Sequence, residues 1–157
     1  MKLKFFSLVF FMALFSAKLF AQDAATTVTD EELKKYAIAM DSVNEMQAVL
    51  SGQIKQMVTS NQSVTAQRYN ELFKIINDEG KLLEANATPE EISFVKQVIA
   101  KKEEGTAKIK ETYQLLAKDY VGAAAFNKVK KAINSDEALK TKYQTLMDEL
   151  SKDNAVN

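Results

Sequence analysis

The chain has 157 residues, and its 21 lysines and arginines are balanced by 21 aspartates and glutamates. It contains neither histidine nor cysteine. These missing residue types remove the commonest general base, the usual zinc and copper ligands, thiol nucleophiles and disulfides. The length suits one domain with its own hydrophobic core. The composition therefore disfavours an enzyme or a metal protein, and we expect no cofactor.

The first residues have the pattern of an export signal. Lys2 and Lys4 precede an apolar run, and Ala21 offers a small residue for cleavage. The run is shorter than the roughly 20 residues of a membrane-spanning helix, so a retained membrane anchor is the less favoured alternative. We expect residues 1–21 to be a cleaved signal peptide and residues 22–28 a flexible mature N-terminus. The protein would then be periplasmic or secreted.

Removing the signal would leave a mildly acidic chain. Three lysines and no acid lie in residues 1–21, so 18 basic residues would remain beside 21 acidic ones. Nucleic-acid binding needs a concentrated basic face, and the lysine pairs of this chain are isolated along the sequence. We therefore expect no nucleic-acid partner, and no membrane span after signal cleavage.

A short phrase typical of a helix start occurs twice. TVTDEELKKY begins at Thr27 and ATPEEISFV begins at Ala87, and each contains Thr-x-x-Glu, the capping box. In that motif the threonine hydroxyl and the glutamate carboxylate satisfy two backbone amides that the helix leaves unpaired. The two caps, Thr29 and Thr88, lie 59 residues apart, and Pro89 suits the first helical position. The sequence therefore predicts two helices that begin in the same way.

The residues after each cap continue the correspondence. Apolar side chains recur at alternating steps of three and four, which is the pattern of long helices packed nearly parallel to each other. We expect long helices over about 30–59 and 89–119, with their apolar residues forming a seam between helices.

Three polar residues interrupt that predicted seam. Gln47 and Thr106 occupy corresponding positions, and Lys102 stands where the first copy has a valine. One interpretation is a polar layer or small hydrophilic cavity across the bundle that contacts a partner. The plainer interpretation is that Gln47 and Thr106 set the register between helices, while Lys102 extends its ammonium group to water.

A second matched segment follows each long helix. RYNELFKIINDEGKLLE begins at Arg68 and AFNKVKKAINSDEALKT begins at Ala125, at an offset of 57 residues. Asparagine and serine near the middle of each segment bond readily to nearby backbone amides. We therefore expect this second helix to break and restart in both copies, with Asn134 and Glu137 capping the restart in the second copy.

Together these patterns predict an all-α fold made of a duplicated helical hairpin. The repeats are expected at 29–87 and 88–153. One hairpin cannot bury its apolar face alone, but two hairpins laid together can. The expected domain is a mostly antiparallel four-helix bundle over 29–153.

An aromatic residue followed by asparagine opens each second helix, at Tyr69-Asn70 and Phe126-Asn127. Aromatic side chains at such positions can anchor a partner, so these four residues are candidates for partner contact. Packing of both aromatic rings across the hairpin turn is the plainer alternative.

These motifs resemble a family of exported bacterial proteins, domain of unknown function 4168. The resemblance is carried by T-x-E-E-L-x-x-Y near the start of the mature chain and by F-N-K-V-x-x-A-I-N-S-D-E-A-L later. The chain departs from the family where a typical Asp-Pro reads Asp136-Glu137. The resemblance implies export and helicity, and it implies no activity, cofactor or catalytic residue.

The function that these observations favour is non-catalytic. We expect an exported helical protein that acts by protein–protein contact in the cell envelope, with an envelope protein or a second copy as partner. A holdase-type periplasmic chaperone and a carrier of an apolar ligand between the helices are the alternatives. An enzyme that works through carboxylates alone is the least favoured.

Overall fold

The computed structural model of the protein describes residues 27–154, so the expected signal peptide lies outside the described residues. Every regular element in the described range is helical, which confirms the all-α prediction. The elements are α1 (Asp30–Ser60), α2 (Ala66–Ile75), α3 (Glu79–Glu84), α4 (Pro89–Leu115), a π-helical turn (Leu116–Tyr120), α5 (Ala123–Ser135) and α6 (Glu137–Asn154).

The two long helices begin with the capping boxes that the sequence predicts. The hydroxyl of Thr29 accepts a hydrogen bond from the Glu32 amide at 3.2 Å, and the Glu32 carboxylate accepts one from the Thr29 amide at 2.9 Å. Thr88 and Glu91 repeat this arrangement at 3.2 and 3.0 Å. Each box satisfies two amides that have no partner within the helix, so the position where α1 and α4 start is fixed locally.

The end of α4 differs from the predicted boundary at 119. Regular α-helix stops at Leu115, and the next five residues form the π-helical turn, in which the Val121 amide donates to the Leu116 carbonyl at 2.9 Å. Gly122 follows with φ of 89°, a conformation that favours glycine, and it starts α5. The wider turn and the glycine together redirect the chain without a long loop.

The second helix of each predicted hairpin is broken, as the sequence indicates. Asp78 caps α3 by accepting a hydrogen bond from the Lys81 amide at 3.1 Å. Asp136 does the same for α6 through the Leu139 amide, also at 3.1 Å. The predicted cap at Asn134 is therefore wrong. That residue still belongs to α5, whereas Asp136 has the extended backbone that a cap residue needs.

The helices α1 and α4 run antiparallel and form the spine of the molecule. The two helices approach each other closely at Gly105, where an added Cβ would overlap the Leu50 side chain and lie 2.8 Å from its Cδ2 atom. A side chain at position 105 would therefore push the helices apart or displace Leu50. The glycine permits close contact near the middle of the spine.

Two hydrophobic cores lie at opposite ends of the spine. The first core joins the start of α1 to α5, α6 and the π-helical turn; its buried members are Leu33, Tyr36, Ala39, Val121, Phe126 and Val129. The second core joins the start of α4 to α2 and α3; its buried members are Leu72, Leu82 and Val95. Among the described residues, no Cα atom of α2 or α3 lies within 8 Å of α5 or α6. The spine alone connects the two ends.

Between the cores lies a stretch of the spine that we call the waist, residues 44–57 of α1 and 99–112 of α4. No residue of α1 between Val43 and Val58 is buried, and none of α4 after Val98 is. The waist is therefore the part of the described chain where helix packing leaves both faces of a two-helix layer accessible.

Candidate functional site

The waist carries a groove on each face. Groove A is formed by α1 and α4 and has a volume of about 320 Å³. Groove B is formed by α1, α2 and α4 and has a volume of about 370 Å³. Leu50 and Ile109 line both grooves, because at the waist the spine is only one layer thick.

Groove A combines an exposed apolar floor with charges of both signs. Met46, Val49 and Leu50 form the floor, and Val49 is 57% exposed. The charged residues that line the groove are Glu45, Glu104, Lys101 and Lys108. None of these four forms an ion pair with another residue in the described range. Their charges are therefore not used to hold the fold.

Groove B has a different chemistry. Leu50, Ile54, Ile109 and two aromatic rings make most of its lining; the rings belong to Tyr69 and Phe73. The neutral polar residues of the groove are Gln47, Ser51 and Asn70, and Lys102 supplies its one charge. Phe73 is 41% exposed. Groove B is therefore a mostly apolar groove with a single cation and no carboxylate.

The reason that groove B is open becomes clear from the corresponding region of the first core. There Tyr113 packs edge-on against Phe126, with ring centroids 5.5 Å apart. The sequence offsets relate Tyr113 to Ile54 and Phe126 to Tyr69. Isoleucine is too short to fill the space that a tyrosine fills. Tyr69 makes its ring contacts elsewhere, and the space beside Ile54 remains open.

The three polar residues predicted in the seam all lie on the surface. Gln47 and Lys102 are exposed and line groove B, and Thr106 is exposed nearby in the waist. No polar or charged residue is buried anywhere in the described range. The structure thus contains no internal polar layer there, because α2 borders Gln47 and Lys102 across groove B without covering them. A role in binding a partner stays a prediction.

The two aromatic-asparagine pairs have different environments. Phe126 is 5% exposed and lies inside the first core, 4.8 Å from the ring of Tyr36. Phe126 is therefore a core residue and not an exposed anchor, while Asn127 is exposed beside it. Tyr69 is half-buried, and it lines groove B together with the exposed Asn70. Only the first pair meets at a groove.

Each capping glutamate also forms an ion pair with a neighbouring helix. The guanidinium of Arg68 donates to both carboxylate oxygens of Glu91, at 2.8 and 2.9 Å, and to the Ala85 carbonyl at 2.9 Å. This pairing lowers the pKa of the Glu91 carboxyl, with help from the Thr88 amide. Lys128 lies 2.6 Å from Glu32 and lowers its pKa in the same way. These charges hold helix starts in place.

The described residues offer little else for chemistry. They contain no group of three or more carboxylates able to hold a metal ion, and no helix among them is long and apolar enough to cross a membrane. Sequence reasoning named four residues that line groove B, but it did not predict that they meet, and it missed groove A; the four are Gln47, Lys102, Tyr69 and Asn70. One signal for groove B was present, because Phe73 stands where the second matched segment has Lys130.

Comparison with known proteins leaves the assignment open. No family model matches the chain, and no curated protein or solved structure gives a significant match. The resemblance to domain of unknown function 4168 therefore stays a prediction.

Proposed function

We propose that this is an exported, non-catalytic helical protein that acts by protein–protein contact in the cell envelope, with groove A as its contact surface. The observation that carries the proposal is that groove A combines exposed apolar surface with charged residues that form no ion pair among the described residues. An apolar floor with Val49 more than half exposed lies between four charged groups that have no partner among the described residues. Exposed apolar surface rimmed by polar residues is typical of interaction sites.

The partner that fits this surface is an amphipathic helix. Two nearly antiparallel helices leave a groove into which the apolar stripe of a third helix can pack. The rim of groove A presents Glu45 and Glu104 beside Lys101 and Lys108. The partner helix should therefore carry both acidic and basic residues flanking its apolar stripe, since charge complementarity selects the partner and its orientation.

A photo-crosslinking experiment tests the contact surface. A photoreactive amino acid at Val49 in groove A should capture a reproducible envelope protein. The same group at Ala48, the adjacent exposed residue outside both grooves, serves as the matched control. An untagged chain without the photoreactive group should compete with the photoreactive chain for the captured partner. The same untagged chain carrying Val49→Lys should compete less well. Equal capture from both positions, or no capture under several growth conditions, would contradict the proposal.

Export itself has a direct test. Fractionation should place the protein outside the cytoplasm, and sequencing of its N-terminus should show loss of the first residues near Ala21. A full-length cytoplasmic protein would rule out an envelope function while leaving the groove itself intact. Capture of a cytoplasmic partner at Val49 would then show that groove A is a contact surface although the protein is not exported.

We also infer that the fold arose by copying one hairpin, giving a bundle in which each short segment crosses to the other long helix. The two cores support this, because residues related by the offsets occupy corresponding positions. Leu33 and Val129 belong to the first core, while Ile92 and Leu72 belong to the second. The packing of α5 and α6 on α1, and of α2 on α4, also supports it.

The copied-hairpin proposal makes the halves interdependent. Separate chains of residues 29–87 and 88–153 should each lack a cooperative thermal transition, because each core takes helices from both. A mixture of the two should regain helical circular dichroism and a melting transition. A half that unfolds as cooperatively as the whole chain would contradict this proposal.

A further inference from the structure

We propose that groove B is a binding site for a single-chain amphiphile with a carboxylate head, such as a free fatty acid. In this arrangement the hydrocarbon chain lies along the apolar lining and the head meets Lys102. The site goes beyond the protein-contact function, which rests on the opposite face of the waist.

The size of groove B suits one chain. Sites for small molecules have volumes of roughly 300 to 1,000 Å³, and the 370 Å³ of groove B lies near the lower end. That volume favours a single acyl chain of medium length over a lipid with two chains. The groove also borders three helices, which gives it more walls than groove A has.

The lining of groove B favours a hydrocarbon. Leu50, Ile54 and Ile109 are half-buried along it, and Phe73 is 41% exposed. Burying apolar surface is favourable roughly in proportion to the area removed from water. A chain lying against these residues would remove from water surface that the protein's own helices leave uncovered.

The charge of groove B favours an anion. Lys102 is the one charged residue that lines it, and it forms no ion pair with any residue of the described range. The residue that corresponds to Lys102 near the first core is Val43, which is buried and only 4% exposed. Amide and hydroxyl groups of Gln47, Ser51 and Asn70 can donate hydrogen bonds nearby. A carboxylate therefore meets donors and no competing acid.

Displacement of a fluorescent fatty acid tests the proposal. The protein has no tryptophan, so cis-parinaric acid emission is not obscured. Dodecanoate should displace the probe at concentrations about tenfold lower than 1-dodecanol, because a charge-assisted hydrogen bond to a lysine strengthens only the acid's binding. Equal displacement by the alcohol would overturn the assignment of Lys102 to the head group.

A pair of adjacent lysines supplies the matched variants. Lys102→Gln should weaken dodecanoate binding about tenfold and leave 1-dodecanol unchanged. Lys101→Gln, which lies in groove A, should change neither. Both positions are partly or fully exposed, so neither substitution threatens the fold. Equal losses in the two variants would indicate general electrostatic attraction and would overturn the site.

A third variant tests the place of the chain. Ile54→Tyr introduces the side chain that fills the corresponding space beside Phe126, so it should abolish binding of both the acid and the alcohol. Unchanged helical circular dichroism and urea midpoint would show that the fold survives. Undiminished binding would overturn the location. Association with oleate-containing vesicles, without binding of free dodecanoate, would overturn the groove in favour of a membrane surface.

Discussion

The two ends of the spine have similar helix starts, but the helices that cover their cores differ in length. Both begin with a capping box whose glutamate is paired to a neighbouring helix. Over the first core lies α6, with 18 residues, whereas its counterpart at the second core, α3, has six. Tyr143 of α6 packs 5.7 Å from the ring of Tyr36 and helps to close the first core. The comparison teaches that a covering helix, and not the helix start, decides which surface remains available.

The residues under the cover reflect this difference. Ala37 of α1 is completely buried, and Lys142 of α6 forms an ion pair with Asp30 of the same α1 helix at 2.6 Å. The position related to Ala37 by the 59-residue offset is Lys96 of α4, which is exposed. A lysine there matches a surface that no helix covers. At this position the end of the spine with the second core, which we call the open end, presents a charged residue to water.

Truncating one buried leucine in each core should give the largest effect and should show whether the two cores unfold independently. Leu33→Ala and Leu72→Ala should each lower the free energy of unfolding by about 2–5 kcal/mol, because both side chains are completely buried. Urea denaturation measures the loss. Hydrogen exchange should rise first in α5 and α6 for Leu33→Ala, and first in α2 and α3 for Leu72→Ala. Equal acceleration along the whole chain would show one cooperative core.

Alkaline pH should weaken the first core more than the second. Burial, followed by the nearby Tyr143 and Tyr113, raises the pKa of Tyr36 from 10.0 to about 12. A raised pKa means that the stabilising protonated form is fully present below about pH 10 and is lost as the pH rises towards 12. The cost should reach roughly 1–2 kcal/mol by pH 11.5, at about 1.4 kcal/mol for each unit of pKa shift.

The measurement is the urea midpoint between pH 9 and 11.5. Tyr36→Phe should flatten this dependence, since phenylalanine has no proton to lose. Tyr69→Phe at the second core is the control; burial also raises the pKa of Tyr69, but this variant should flatten the dependence less because Tyr69 is only half-buried. An identical pH dependence in the two variants would contradict the comparison.

The capping boxes should show that the two helix starts are equivalent. Thr29→Ala and Thr88→Ala should each cost about 1 kcal/mol, because each removes one acceptor for a helix amide. Thr59→Ala is the matched control near the end of α1, where the hydroxyl only donates to the Lys55 carbonyl; it should change stability by less than about 0.5 kcal/mol. Thermal unfolding of the three variants tests this. A cost confined to one cap would show that the starts differ after all.

Two glycines of the spine should give the smallest effects. Gly52→Ala should stabilise the protein by about 0.5–1 kcal/mol, since the site is helical and an added Cβ meets no atom within 4 Å. Gly105→Ala should be nearly neutral, because the same helical gain is offset by displacing Leu50. Chemical denaturation of both variants decides. A full gain at Gly105 would mean that the close approach there is not needed.

Much of the local structure was predictable from the sequence. The caps at Thr29 and Thr88, the long helices and the broken second helices all depend on short-range chemistry that a few neighbouring residues determine. The end of α4 was not predictable from local sequence, because the π-helical turn depends on how α5 folds back onto the first core. The cap of α6 was misassigned by two residues for a similar reason, since Asn134 and Asp136 are both suitable cap residues.

The candidate site was less predictable than the fold. Gln47, Lys102 and Thr106 continue an apolar period of 3.5 residues, so they were expected between helices. The structure places them on the surface because no neighbouring helix packs tightly over them, and periodicity alone cannot reveal how closely another helix packs. Groove B depends on how Ile54 and Tyr69 are placed relative to each other, which the packing of α2 beside the spine decides.

The arrangement of the two cores also sets an order of events along an emerging chain. The second core uses residues between Tyr69 and Ile99, whereas the first core brings Leu33 together with Leu146. Contacts between distant residues form more slowly, since a long loop must close first. During synthesis or translocation we expect the second core, at the open end, to fold early. The first core cannot form until α6 has emerged. A chain truncated after Tyr120 should therefore already protect the amides of α2 from exchange.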